Sequence, residues 1–165
     1  GRELLSPLGV HDLPDPCRLD WPGQSLLLSH GDLLCVDDTA YQTFRQQVRS
    51  PAWQRDFLAR PLTERQALAR HMRTQSQAAQ AAVETLADVD DPSARQWLLQ
   101  AGVGCLIHGH THRPADHELG PDPAGQPLSR IVLSDWHVDA HTRRAEILRL
   151  RPGEMPQRID PATVA

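Results

Sequence analysis

Two short apolar runs, each ending in a histidine, place the strongest limits on how this chain can fold. They are QSLLLSH (24–30) and VGCLIHG (103–109), and glycine lies close to both. Continuous apolar runs of this length are typical of strands that are buried on both faces of a sheet. The stretch from 38 to 86 is instead rich in Ala, Gln, Arg and Leu, which favours helices. The sequence therefore predicts an α/β fold.

Two helices have recognisable ends. The segment TERQALARHMRTQSQAAQAAVETL (63–86) has Thr63 as a possible N-cap. The segment DPSARQWLLQAG (91–102) has Asp91 as candidate cap, a proline in its first turn and Gly102 just past its end. The second helix leads directly into the second histidine strand.

The carboxyl-terminal third shows a different pattern. GPDPAGQP (120–127) is predicted to be a turn-rich loop. SRIVLSDW (129–136) and RRAEILRLR (143–151) alternate as half-exposed strands do. We expect the tail from 152 onward to be loosely held.

Composition narrows the functional classes. A length of 165 residues favours one domain. A formal charge of -4 argues against nucleic-acid binding, which needs a basic surface. Three widely spaced cysteines, without a CxxC pair, favour a reducing compartment. No apolar run approaches the ~20 residues of a membrane-spanning helix, so we expect a cytoplasmic protein that is at most peripheral to a membrane.

The histidines predict a metal site. In an extended segment His110 and His112, two residues apart, point to the same side, as a pair converging on one ion would. Neutral imidazole suits Mn, Fe, Co or Zn, and the carboxyl ends of buried strands are where α/β sheets place their sites. An isolated HxH pair is more often an ordinary polar loop. His30-Gly31 at another strand end, with several aspartates nearby, favours the metal site.

These residues carry a family resemblance. GHTH after an apolar strand and HGD after LLLS resemble motifs of the calcineurin-like metallophosphoesterases. The longer stretches SHGDLLCVDDTAYQTFR, RHMRTQS, LIHGHTHRPADHEL and RIVLSDWH resemble the UDP-2,3-diacylglucosamine diphosphatases of lipid A biosynthesis, from about residue 9 to residue 150. The resemblance implies part of an α/β/β/α sandwich with a helical insertion, or lid, over about 38–86.

The resemblance also implies roles for individual residues. His30 and His110 would bind one manganese ion, His112 would bind a second, and His110 would take part in catalysis. Substrate would be contacted by four residues, namely Asp38, Ser76, Gln80 and His110. His108 and His117 match family positions that have no assigned metal role.

Several family motifs are absent from this sequence. The amino-terminal DxH, GD and GNRD motifs do not occur, and GRELLSPLGVHDLPDP resembles the stretch that follows GNRD. We therefore expect 1–165 to be the carboxyl-terminal portion of a single metallophosphoesterase domain, with the missing amino-terminal half as its partner. Three neutral histidines cannot neutralise two divalent cations, so the isolated chain is expected to be inactive.

The expected reaction is hydrolysis of UDP-2,3-diacylglucosamine to 2,3-diacylglucosamine 1-phosphate and UMP at the cytoplasmic face of the inner membrane. The lid would house the acyl chains on an apolar face beside seven arginines: Arg45, Arg49, Arg55, Arg60, Arg65, Arg70 and Arg73. The alternative for those residues is ordinary packing and a solvated helix face. The alternative functions are a different metallophosphoesterase and a non-catalytic fragment that has lost its metals.

Overall fold

The chain divides into a sheet unit and a helical unit. The structure is a computed structural model that describes residues 5–81, 88–138 and 143–163, and it leaves aside the side chains of 76–81, 138 and 143. The sheet unit comprises Gly1–Leu34 and Val89–Ala165, and the helical unit comprises Cys35–Asp88. Within the described residues, none of the helices has both the length and the apolar character needed to cross a bilayer.

A five-stranded mixed sheet forms the centre of the sheet unit. Its order is β1-β2-β3-β5-β4. The three central strands β2, β3 and β5 are parallel, and each edge strand is antiparallel to its neighbour. The strands are β1 Cys17–Trp21, β2 Gln24–Ser29, β3 Cys105–His108, β4 Asp116–Pro121 and β5 Pro127–Val132. The α/β prediction is confirmed, and a mixed sheet with helices is consistent with the metallophosphoesterase type of fold.

The register of the central strands brings their carboxyl ends level. Ser29 of β2 pairs with His108 of β3, which pairs in turn with Val132 of β5. All four residues of β3 are buried. A continuous apolar run suits this central position, because a middle strand is covered on both faces. The residue after each strand, including His30, consequently lies at one edge of the sheet.

Helix α4, Asp91–Ala101, packs its buried Ala94 and Leu98 in the sheet unit. Its N-cap is Asp90, whose carboxylate accepts a hydrogen bond from the Ser93 amide at 2.8 Å. The predicted cap, Asp91, is wrong by one residue because two adjacent aspartates offer the same oxygen chemistry. Gly102 ends the helix at φ +63°, as predicted, since a left-handed residue at this position favours glycine.

The turn-rich loop predicted over 120–127 is confirmed in its middle, where the Asp122 carboxylate accepts from the amides of Ala124 and Gln126, while its two ends belong to β4 and β5. Two other predictions about the carboxyl-terminal third are wrong. The tail is ordered, because β9, Gln157–Ile159, pairs with β8, Ile147–Arg149. The predicted strand over 143–151 is two short pieces, the second being β8. The first is β7, Arg143–Arg144, which pairs with β6, His137–Val138.

Three helices lie within the described residues of the helical unit. They are α1 Thr39–Arg49, α2 Pro51–Leu58 and α3 Leu62–Ala81. Asp38 and Ser50 cap α1 and α2 by accepting bonds from the amides of Tyr41 and Trp53. The predicted cap Thr63 is wrong, because α3 begins one residue earlier at Leu62. Residues 82–86 of the predicted helix lie outside the described residues.

Candidate metal and phosphate site

His30 and His110 come together at the edge of the sheet where β2 and β3 end. Their ring centres lie 5.0 Å apart with an interplanar angle of 67°. His30 is exposed and His110 is half-buried. Two imidazoles that bind one ion through nitrogens at the usual ~2.1 Å have ring centres about this far apart. These two side chains therefore fit the first of the two predicted metal positions.

A carboxylate and a hydroxyl fix the turn that carries His30. The Ser29 hydroxyl donates to the Asp15 carboxylate at 2.6 Å, and the His30 amide lies 3.3 Å from both oxygens of the same carboxylate. The Ser29 hydroxyl also accepts from the Gly31 amide at 3.0 Å. Gly31 has φ +98°, and a Cβ there would lie 2.9 Å from Nδ1 of His108. Both the backbone conformation and the close ring therefore require glycine after His30.

The turn that carries His110 is bonded to the His30 turn. The Gly109 amide donates to the His30 carbonyl at 3.2 Å, and the Thr111 amide donates to the Gly109 carbonyl at 2.8 Å. His110 and His112 have φ of +68° and +54°. Non-glycine residues adopt this left-handed conformation at a cost of about 1–3 kcal/mol and often do so at functional sites.

The positive φ values overturn the reasoning that placed His110 and His112 on one side of an extended segment. The segment from His110 to His112 is a tight turn, so the alternation of side chains along a strand does not apply to it. His110 faces His30, whereas Nδ1 of His112 lies 3.7 Å from the Asp135 carboxylate. The described residues contain no group of three His, Cys, Asp or Glu side chains close enough to hold an ion.

Asp135 was not predicted from the sequence as a site residue. Partial burial raises the pKa of its carboxyl, but hydrogen bonding and charge from Arg144, together with the charge of His112, outweigh this and leave the pKa lowered. Arg144 makes a short ion pair with it. The carboxylate therefore stays ionised at 3.7 Å from Nδ1 of His112, a separation longer than a hydrogen bond. The sequence contains a pattern that could have identified Asp135: it closely follows the apolar run RIVL, as the histidines follow their apolar runs.

The three substrate-contact candidates of the lid belong to the helical unit. Asp38 is exposed, and its Oδ1 accepts from the Tyr41 amide at 2.9 Å as the cap of α1. Ser76 and Gln80 lie on the backbone of α3, and their side chains fall outside the described residues. Their spacing of four places them on one face of the helix.

A cavity of about 710 Å³ lies at the opposite end of the sheet from the histidines. It is lined where β2, β3 and β5 begin, by residues that include Leu26, Val103 and Leu128. None of the candidate site residues lines it. The histidine pair at the carboxyl ends of the strands is consequently the candidate site, in agreement with the usual placement in α/β sheets.

Comparison with known proteins identifies relatives over most of the chain. It is 47% identical over 140 residues to the UDP-2,3-diacylglucosamine hydrolase of Bordetella pertussis, covering 84% of this chain and 54% of that protein. The enzymes of the same name from Stenotrophomonas maltophilia and Xanthomonas oryzae pv. oryzae are 43% and 45% identical over 154 residues, 88% of this chain. No family model matches the chain.

The coverage of the relatives is partial. The chain spans 61% of the Stenotrophomonas protein and 62% of the Xanthomonas protein, as well as the 54% given above. The resemblance inferred from the motifs is confirmed: over the matched length the chain is homologous to these hydrolases. Matching only part of each relative fits a carboxyl-terminal portion.

Proposed function

We propose that this chain, homologous to the UDP-2,3-diacylglucosamine hydrolases, forms part of the active site of an enzyme that hydrolyses the pyrophosphate bond of UDP-2,3-diacylglucosamine. The products are 2,3-diacylglucosamine 1-phosphate and UMP. The observation that supports this most is the approach of His30 and His110 at the ends of adjacent parallel strands. These residues lie in the two motifs through which the sequence resembles the family.

The histidines are proposed to hold manganese. His30 and His110, whose rings are neighbours, would hold one ion, and His112, which lies 3.7 Å from the Asp135 carboxylate, would hold a second. A bound divalent ion would lower the pKa of a water molecule and offset negative charge on the phosphorus oxygens. Since imidazole brings no charge, the anionic ligands that such a pair requires come, in this proposal, from the part of the relatives' length that the chain does not match.

The remaining candidates are proposed to bind substrate. His110, half-buried and fixed by its turn, presents its ring to a phosphoryl oxygen. Asp38, Ser76 and Gln80 offer a carboxylate, a hydroxyl and an amide, groups suited to the uridine and sugar hydroxyls and amides. The substrate would be oriented by these contacts before attack by water.

The helical unit is proposed to house the acyl chains and to lie on the cytoplasmic face of the inner membrane. Its apolar side chains are unusually exposed: Phe44 by 41%, Leu58 by 63% and Leu62 by 60%. Beside them, the half-buried Trp53 and Phe57 stack with ring centres 4.9 Å apart. Helices with exposed apolar residues and neighbouring arginines suit an anionic lipid at a membrane surface.

The proposal is tested by UMP release and metal content together. The 165-residue chain, a polypeptide covering the unmatched part of a relative, and their mixture are assayed with UDP-2,3-diacylglucosamine at equal Mn²⁺. We expect hydrolysis near background from each alone and turnover by the mixture. His110→Ala should abolish turnover and lower the bound Mn²⁺ by one equivalent. The control is His71→Ala, at an exposed histidine of the helical unit. Full activity of the 165-residue chain alone would contradict the assignment of incomplete metal ligands.

A substrate panel separates this function from the alternatives. A mononucleotide phosphodiester, a phosphopeptide and UDP-2,3-diacylglucosamine are compared on the same mixture. Preference for either of the first two would indicate a different phosphoesterase. Absence of metal binding and of turnover in the mixture would indicate a non-catalytic homologue.

A further inference from the structure

Two ionisable side chains of the sheet interior lie directly beneath the histidine turns. His108 is 0% exposed, and Arg130, which lies on β5 two residues before Val132, the register partner of His108, is 2% exposed. Burial of an arginine is costly unless its charge and its donors are satisfied. Two such residues side by side in an otherwise apolar sheet therefore require an explanation beyond packing.

The contacts of Arg130 form a chain from the helix to the histidine turn. Its Nε donates to the Asp91 carboxylate of α4 at 2.7 Å. One of its terminal nitrogens lies 3.4 Å from Nε2 of His108, at the long end of the hydrogen-bond range. Arginine can only donate, so Nε2 of His108 is the acceptor. The guanidinium therefore links an acid on α4 to a ring at the end of β3.

The contact with Arg130 determines which nitrogen of the His108 ring carries the hydrogen. Since Nε2 accepts, Nδ1 carries the hydrogen of the neutral ring, and it lies 2.9 Å from the Gly109 carbonyl. The same carbonyl accepts from the Thr111 amide at 2.8 Å, which closes the turn around His110. The Gly109 peptide is thus held from two directions.

The ring also packs against the other histidine turn. A Cβ on Gly31 would come within 2.9 Å of Nδ1 and 3.2 Å of Cβ of His108. The ring therefore lies against the backbone that follows His30 while bonding the backbone that precedes His110. One buried side chain therefore contacts both turns, in addition to the direct bond from the Gly109 amide to the His30 carbonyl.

We infer that His108, held by Arg130 and Asp91, is a positioning residue that keeps His110 in its left-handed conformation facing His30. The importance of this positioning for catalysis rests on the proposed function, because His30 and His110 are the proposed metal ligands. The physical cause is the strain of the turn, which persists only where the surroundings over-determine it.

The first test needs neither metal nor substrate. In the metal-free 165-residue protein, long-range nitrogen–proton NMR should show His108 in the tautomer with the hydrogen on Nδ1, and a nuclear Overhauser contact should join the rings of His30 and His110. His108→Gln, which cannot reproduce the bond to Gly109, should lose that ring contact. His108→Asn, whose amide can replace Nδ1, should retain it. The opposite tautomer, or an unchanged contact in His108→Gln, would overturn the inference.

A matched control separates positioning from loss of stability. Leu106→Val, at a fully buried neighbour on β3, should lower the melting temperature without changing the ring contact. If His108→Gln does not fold, a second variant, Asp91→Asn, alters the exposed end of the contacts that run from Asp91 through Arg130 to His108. It should weaken the contact between the rings of His30 and His110 and broaden the His108 tautomer signals. Retention of both signals in Asp91→Asn would overturn the role of Arg130.

Co²⁺ binding then connects the turn to the proposed function. The complemented protein is the mixture of the 165-residue chain with a polypeptide that covers the unmatched part of a relative. We expect His108→Gln to weaken Co²⁺ binding to this mixture by about tenfold, and Leu106→Val to change it less than about threefold. If the ring contact behaves as expected but the wild-type protein binds no Co²⁺, the proposed function fails while the positioning role stands. If Leu106→Val and His108→Gln weaken Co²⁺ binding equally, His108 contributes only to packing of the core and the inference is wrong.

Discussion

The sheet unit and the helical unit are built in opposite ways from similar apolar contents. Every residue of β3 is buried, whereas none of the described side chains from 36 to 75 is. The sheet unit buries most leucines, valines and isoleucines of its central strands in a core, although Leu8, Leu13 and Leu133 of the same unit are exposed. The helical unit leaves Leu58 and Leu62 more than half exposed.

The difference shows that local signals are enough to form helices but not to bury them. The helices of the helical unit have caps at Asp38 and Ser50 and a stacked pair of rings four residues apart at Trp53 and Phe57. Such local interactions contribute a few tenths of a kcal/mol to about 1 kcal/mol each. An exposed apolar face that the fold does not cover is suited to contact a lipid, as proposed above.

The largest expected effect compares one leucine in each unit. Leu106→Ala removes a side chain that is fully buried in β3, and we expect it to lower the free energy of unfolding by about 2–5 kcal/mol. Leu58→Ala removes a side chain that is 63% exposed, and it should change that free energy by less than about 0.5 kcal/mol. Urea denaturation of both variants measures the difference. Similar losses would mean that Leu58 is part of a core in solution.

A second prediction concerns function in the helical unit. Leu58→Asp in the complemented protein should reduce turnover of the diacylated substrate while leaving hydrolysis of a short activated phosphodiester nearly unchanged, because the carboxylate would oppose an acyl chain and not the phosphate. Steady-state rates on the two substrates measure it. Gln54→Asp, on an exposed position of the same helix, is the control. Equal losses on both substrates would contradict an acyl-binding role.

The third prediction concerns the caps. Ser50→Ala removes the acceptor of the Trp53 amide and should cost about 1 kcal/mol of local stability. Because α2 has no buried residue, the loss should appear as faster amide exchange within Pro51–Leu58 and leave exchange in β3 unchanged. Native-state hydrogen exchange makes the comparison. A uniform loss of protection across both units would show that they open together.

The smallest expected effect depends on pH. Hydrogen bonds from the side chain and then the amide of Ser93 hold the pKa of Asp90 below its ordinary range. Its folded form therefore binds a proton less readily than its unfolded form, so the stabilisation is present above the ordinary aspartate pKa of about 4 and disappears as pH falls through the lower folded value. Asp90→Asn keeps a capping oxygen that does not titrate. The stability advantage of the wild type over this variant should shrink between about pH 6 and pH 3, and a constant difference would contradict the assignment.

The sequence predicts the central strands well and their surroundings less well. The apolar run at 24–29 coincides with β2, because a buried central strand needs no partner to be recognised. The sequence does not predict edge strands β1 and β4, since three of the five residues of β1 and four of the six residues of β4 are exposed, and the glycine and proline of β4 resemble loop signals. Strand β9 was missed because pairing with β8, and not its own composition, orders it.

The site was predicted in part for similar reasons. The pairing of His30 with His110 was implied by the family resemblance, and it agrees with the position of both residues after adjacent parallel strands. The direction of His112 depends on positive φ values at two successive histidine positions, which tertiary contacts impose. The buried link from Asp91 through Arg130 to His108 joins residues far apart in the chain and left no local pattern.

The parallel pairing of β2 with β3 has a consequence for how the protein folds. Leu26 pairs with Cys105, so the whole helical unit lies inside the loop that this contact closes. Long-range parallel pairing forms slowly, because loop-closure entropy is lost before the contacts are gained, whereas helices form within about a microsecond. During synthesis, the turn after β2 emerges long before its partner, and β3 itself is secured by the bond from the Leu133 amide to the His108 carbonyl. The helices should therefore form before the two histidine turns meet, because the turns meet only once β3 has been synthesised and paired with β2.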